Sequence, residues 1–130
     1  MSNRILVVED NAPDRELLRD WLEGEGLDVD CATTLEQAFA AFQSHAPELV
    51  LLDVQLGSQE GLALIEWMRR DPNLRDLPVI AVTAHTLVTD YDHLMRAGCC
   101  ACVSKPVNFG LLREYLRRWL KNTTTADYGE

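Results

Sequence analysis

Short, uniformly apolar runs alternate along this chain with stretches whose apolar residues recur at helical spacing. Ile5-Leu6-Val7-Val8, Leu49-Val50-Leu51-Leu52 and Val79-Ile80-Ala81-Val82 have no polar alternation, as expected of strands covered on both faces. Weaker strand-like segments stand at Asp28–Ala32 and at 101–103. Between them, five stretches fit the helical period. Pro13 opens the first, whose apolar face is Leu17, Leu18, Trp21 and Leu22, and Gly24 and Gly26 end it. Thr33 or Thr34 can cap the second, with Glu36 or Gln37 placed for a capping box and Leu35, Ala38, Phe39 and Phe42 facing inward. The third spans 62–70 and buries Leu64 or Ile65 with Met68. The fourth, about 89–97, anchors on Leu94 and Met95, with Gly98 as the residue that ends it. The last runs from near Asn108 to Lys121 on a stripe of Leu112, Tyr115, Leu116, Trp119 and Leu120. Residues 56–61 read as a loop, and 122–130 as a polar tail that frays.

Five strands alternating with five helices predict an α/β fold. Right-handed crossovers place helices on both faces of a parallel sheet, so the architecture is doubly wound. One domain over 1–121 accounts for the pattern, with 122–130 outside it.

The ends of the strand-like runs carry the chemistry. The first runs into Glu9-Asp10, the third into Asp53, the fourth into Thr83, and the fifth into Ser104-Lys105-Pro106. In an open parallel sheet the carboxyl ends of the strands share one edge, where ligands bind. Three carboxylates, a hydroxyl and an ammonium would therefore converge, a set suited to a divalent cation and a transferable phosphoryl group. Carboxylates ~4 Å apart repel by roughly 4 kcal/mol at an effective dielectric of 20. Such a cluster needs a metal or a lysine.

Composition narrows the classes of function. The 130 residues are 47% hydrophobic and 25% charged, the profile of a soluble globular domain. The formal net charge of −9 argues against nonspecific nucleic-acid binding, which needs lysine and arginine. No apolar run approaches the ~20 residues that span a bilayer, and the start lacks the apolar region of a signal peptide, so a cytoplasmic protein without membrane attachment is expected. Cys99 and Cys102 form a C-x-x-C beside Cys100, and Cys31 stands apart. No second pair stands at zinc-finger spacing, and His85 and His93 complete no pattern. These cysteines read as small thiols around a core strand.

Glu9-Asp10, Asp53, Thr83 and Lys105-Pro106, in this order on a five-fold β/α alternation, resemble the receiver domain of two-component response regulators, over nearly the whole chain. The resemblance implies the flavodoxin-like strand order 2-1-3-4-5 and a phosphoryl group accepted on Asp53 from a sensor histidine kinase or a histidine phosphotransfer protein. It implies Mg2+ as cofactor, with the backbone carbonyl of Gln55 among its ligands, and a cis bond between Lys105 and Pro106. The chemistry of the residues agrees. An aspartate can hold a phosphoryl group covalently, and Mg2+ prefers oxygen ligands and retains waters. Asp10 and Asp53 then serve as direct ligands, Glu9 acts mostly through water, Lys105 supplies positive charge, and Thr83 turns its hydroxyl to the phosphoryl. Such a protein is not an ordinary enzyme, because it catalyses only its own phosphoryl transfer and dephosphorylation.

The resemblance further implies donor docking on the first helix and the loop after Pro106, with Asn11, Asp14, Leu17, Leu18 and Val107 as candidates. Of Leu17 and Leu18, only one is expected to be exposed. Output to a downstream protein target, or a homodimer, is implied on the fourth and fifth helices, where Arg113, Arg117, Arg118 and Lys121 make the last helix basic and Asp90 and Asp92 stand on the fourth. Gly61 falls where the family has its glycine. Two positions depart from the pattern: Gly57 replaces a proline, and Cys102 replaces an aromatic residue that swings inward; Gln55 and His85 occupy the two positions that tune phosphoryl lifetime in the family. Two other classes fit less well. A flavodoxin-like electron carrier needs a Ser/Thr/Gly-rich phosphate loop where this chain has Asp10-Asn11-Ala12-Pro13, and a phosphorylation-dead interaction module would lack the acids.

Overall fold

The computed structural model describes residues 3–56, 59–84 and 88–120, with the backbone alone for 55–56, 59–60 and 88–91. Five strands form one sheet: β1 (Arg4–Val8), β2 (Asp28–Ala32), β3 (Leu49–Asp53), β4 (Val79–Thr83) and β5 (Ala101–Ser104). All neighbours are parallel, in the order β2-β1-β3-β4-β5. Between and after them run α1 (Ala12–Gly24), α2 (Leu35–Ser44), α3 (Leu62–Arg70), α4 (Val88–Ala97) and α5 (Phe109–Trp119). This is the expected doubly wound, flavodoxin-like α/β fold. The side-chain period of two in a strand divides the apolar runs between two cores. Leu6, Val8, Val50, Leu52, Val79 and Ala81 pack with Ala38, Leu64, Ile65, Met68 and Leu94 under α2, α3 and α4. Ile5, Val7, Leu49, Leu51, Ile80 and Val103 pack with Leu18, Leu22, Leu112 and Leu116 under α1 and α5.

The helix boundaries follow local chemistry. Asn11 caps α1 by accepting from Asp14 N, and Asn108 caps α5 by accepting from Leu111 N. At α2, Thr34 accepts from Gln37 N, while the Gln37 carboxamide accepts from Thr33 N at 2.7 Å and from Thr33 Oγ1. The box thus spans both threonines. Gly98, at φ +122°, ends α4 with bonds from Gly98 N to Met95 O and from Cys99 N to Leu94 O.

Several expectations are corrected. Met95 is exposed and not an anchor of α4, and Leu17 stands 53% exposed while Leu18 is buried. Leu18 is therefore core and unavailable for docking. Residues 55–56 and 59–60 form a two-stranded antiparallel ribbon where a plain loop was expected. Of the cysteines only Cys99 is fully buried; Cys31, Cys100 and Cys102 are half-buried, and all four are free thiols. Burial raises each thiol pKa, pushing Cys100 up to about 11 and Cys99 up to about 12, so they favour the unreactive protonated form. The tail at 122–130, the end of the last helix at Lys121, Gly57, His85 and Asp90's side chain lie outside what is described.

Two arginines join elements. Arg113 of α5 makes a paired contact with the Glu25 carboxylate at 3.0 and 2.8 Å and covers the Trp21 ring. Its charge is thus directed at α1, away from α4. Arg69, at the end of α3, donates to the carbonyls of Leu74, Arg75 and Leu77, and through Nη2 to Gly98 O at 2.6 Å. The loop before β4 and the end of α4 are tied to α3 by this one side chain. A Cβ on Gly98 would come 2.6 Å from Arg69 Nε, in a backbone region that side chains rarely adopt. Arg69→Leu is expected to cost about 2–3 kcal/mol, the range for losing charge-assisted bonds to carbonyls, and Gly98→Ala about 1–3 kcal/mol from backbone strain. Urea unfolding checks both; a change under half a kilocalorie for Arg69→Leu would show that the clamp is replaceable by water.

Candidate functional site

Strand register determines which side chains meet. Val8 pairs with Leu52, Asp53 with Val82, and Thr83 with Ser104. The residues at or just beyond these pairs, Glu9, Asp10, Asp53, Thr83 and Lys105, thus emerge on one edge. Glu9 N continues the ladder to Ala32 O, and Lys105 N to Thr83 O. The acidic turn is held from beneath. Asn11 N donates to Glu9 Oε2 at 3.2 Å, and Arg15 donates to the carbonyls of Glu9 and Asp10. Glu9, Asp53 and Thr83 are buried, and Asp10 is exposed. The Lys105–Pro106 bond is cis, as expected.

Lys105 unites the site. Its Nζ lies 2.9 Å from Glu9 Oε1, 2.9 Å from Asp14 Oδ2 and 3.2 Å from Asp53 Oδ2. Burial opposes the ammonium's charge, but Asp14, Glu9 and Asp53 outweigh it and hold the Lys105 pKa above its ordinary value. For Glu9 the balance goes the other way. Burial, then the adjoining Asp53 carboxylate, raise its pKa from 4.5 to about 7, against the lowering by Lys105 and Asn11 N. Asp14 is a residue whose role at the site the sequence reading missed, having placed it only among docking candidates. Its signal was present: one helical turn past Asp10, it stands in the first turn of α1 where an acid favours the helix terminus.

Glu9, Asp10 and Asp53 each offer a carboxylate oxygen within 4.8 Å of the others, and no other such cluster of metal-ligating residues occurs among the described residues. The cysteines therefore form no metal centre there. An all-oxygen donor set suits a hard divalent cation such as Mg2+. Glu9 Oε1 adds to the fit: it is buried without an aligned hydrogen bond, although the Lys105 charge is close. Gln55, the expected carbonyl ligand, pairs its backbone with Glu60. Gly61 shows why a glycine stands behind the site. Its N donates to Val54 O at 2.7 Å, and a Cβ there would come 2.8 Å from the Asp53 carbonyl oxygen, backbone that cannot yield. Beside Lys105, a pocket of about 70 Å³ is lined by Leu17, Leu18, Val82, Pro106 and Val107 together with Glu9 and Asp14.

The raised Glu9 pKa has a measurable sign. Without metal, the folded chain keeps a proton on Glu9 between pH 4.5 and about 7 that the unfolded chain has released, so stability falls as pH rises through that window. In chelator, the melting temperature of the wild type should drop between about pH 5 and about pH 7.5 relative to Glu9→Gln, which lacks the titration. Parallel profiles for the two proteins would contradict the assignment.

Comparison with known proteins agrees with this geometry. The model of the response regulator receiver domain family matches residues 5–117. The polar-differentiation response regulator DivK of Brucella ovis is 33% identical over 120 residues, covering 92% of this chain and 98% of the relative. A response regulator receiver protein from Pseudomonas putida superposes with a TM-score of 0.82 at 30% identity, covering 91% of this chain and 98% of that one. The receiver domain of a sensor histidine kinase from Pseudomonas aeruginosa, solved with a magnesium ion coordinated in its active-site cleft, gives a TM-score of 0.82 at 28% identity over 92% of this chain and 98% of its own. The family match runs from β1 into the last turn of α5, and the chain is a member of the response regulator receiver domain family.

Proposed function

We propose that this protein is a phosphorylation-activated signalling switch that accepts a phosphoryl group on Asp53 from a histidine kinase or a histidine phosphotransfer protein. The observation that carries the reading is the meeting of Asp53, Lys105 and the acids Glu9 and Asp10 at one sheet edge. An Asp53 carboxylate oxygen forms a bond to phosphorus as the donor's P–N bond breaks, and the electron pair of that bond stays on the imidazole nitrogen. Phosphoryl transfer asks a protein mainly for positioning and charge compensation. Lys105, already 3.2 Å from Asp53 Oδ2, donates to a phosphoryl oxygen, and the Thr83 hydroxyl, in register with Ser104, donates to another. Mg2+ held by Glu9, Asp10, Asp53 and the Gln55 carbonyl supplies the remaining charge compensation when bound. Water attack on the acyl phosphate reverses the modification, so the protein's chemistry is confined to itself.

Donor docking fits the rim of the site, where Leu17 is exposed and Val107 lines the adjoining pocket. Output runs through protein contacts of α4 and α5, to a downstream target or a second copy. Arg117 and Arg118 are exposed there, whereas Arg113 is engaged by Glu25. Residues 1–121 constitute the receiver unit and 122–130 a tail. No described helix is long and apolar enough to cross a membrane, and a cytoplasmic protein without nucleic-acid binding completes the reading.

Incubation with Mg2+ and a small phosphodonor, followed by intact mass measurement, should add one phosphoryl group. Chelator or Asp53→Asn should abolish the gain; undiminished labelling of Asp53→Asn would place the nucleophile elsewhere. A second measurement concerns output. Cys102 lies in β5 beside Ala81, half-buried against the α2–α4 core, and is too small to fill a vacated aromatic space. Beryllofluoride, a phosphoryl mimic, should produce large chemical-shift changes at Asp53, Thr83 and Ala84 and small ones at Cys102 and along α5. Changes of equal size in both regions would refute a weakened link.

A further inference from the structure

We infer that Asp14 is a positioning residue that holds the Lys105 ammonium in the resting site and competes with the phosphoryl group for it. The inference rests on the reading that Asp53 is the phosphoacceptor. In this structure Lys105 Nζ donates to Asp14 and Asp53 and lies 2.9 Å from Glu9 Oε1 as an ion pair, so three carboxylates already surround the ammonium. A phosphoryl oxygen on Asp53 competes with these carboxylates for it.

The three partners differ in what release would cost them. The Glu9 side chain is 1% exposed, so water cannot take the place of the ammonium there. Asp53 carries the phosphoryl group itself and stays beside Lys105. Asp14 is 43% exposed, in the first turn of α1, and water can take over the bond. The partner surrendered is therefore Asp14. Because Asp14 stabilises only the unphosphorylated arrangement of Lys105, it shifts the equilibrium toward the resting state by that difference and no more. It also lines the pocket beside Lys105 with Leu17 and Val107, so it stands at the entrance to the site.

The test is beryllofluoride affinity in the presence of Mg2+, read by chemical-shift titration. Asp14→Asn should tighten binding roughly two- to fivefold, the equivalent of a partly exposed ion pair. In a Lys105→Ala background the same substitution should have no effect, because the coupling passes through the ammonium. Unchanged or weakened affinity in Asp14→Asn would overturn the inference, and so would tightening that persists without Lys105, which would be a general field effect. Resting stability gives a second reading that needs no analogue: Asp14→Asn should lower the melting temperature of the wild type more than that of Lys105→Ala, since only the loss at the helix terminus is common to both. Equal losses in both backgrounds would show that Asp14 does not act through Lys105. Asp20→Asn, an exposed acid further along α1, should leave beryllofluoride affinity unchanged. Phosphorylation of Asp53→Asn would instead overturn the parent reading, while the resting stability cycle would still report the Asp14–Lys105 pair.

Discussion

Parallel pairing in fixed register is the constraint from which the rest of this structure follows. With Val8 opposite Leu52 and Asp53 opposite Val82, the polar residues ending separate apolar runs must stand side by side. A slip of one residue would turn every apolar side chain of β3 toward the opposite core. Leu51 and Leu52 are both buried, in different cores, so the packing of all five helices guards the register, and the register holds Asp53 beside Glu9.

That placement brings like charges together, and Lys105 answers the resulting strain. Glu9 is buried, and its raised pKa records both its desolvation and the nearness of Asp53. Lys105 arrives from β5, nearly a hundred residues later in the chain, and sits between the acids. Its third partner, Asp14, completes the coordination of the ammonium without being buried. One ammonium thereby offsets part of the negative charge of this cluster, and under the proposed switch a cation or a phosphoryl group would require a different arrangement. A switch needs such a difference, since no ligand shifts an equilibrium between states it binds equally.

The face that would carry the signal is built differently from the site. Arg69 fastens the loop leading into β4 and the end of α4 to α3, and Arg113 fastens α5 to α1. Cys102, a small side chain at half-burial, contributes little apolar area to any rearrangement there.

The strands and helices of this protein were legible in its sequence because their signals are local. Uniform runs such as Val79–Val82 can be buried only on two faces, Leu112 and Leu116 share a helical face, and Asn108 and Gly98 end or begin helices by chemistry confined to one turn. The acids, Thr83 and Lys105 were legible as strand endings, and the resemblance to the receiver family put them in one site. What only the tertiary structure decided depends on neighbours remote in the chain. Leu17 and Met95 satisfy the apolar pattern yet face outward, because the sheet covers only one side of each helix. Gln37 reaches past Thr34 to Thr33, Arg113 turns to Glu25, and Arg69 finds four carbonyls, each a choice among partners that spacing does not rank. Asp14 belongs with these: its carboxylate lies 91 residues from Lys105 along the chain, and only the closing of the sheet brings the ammonium within its reach.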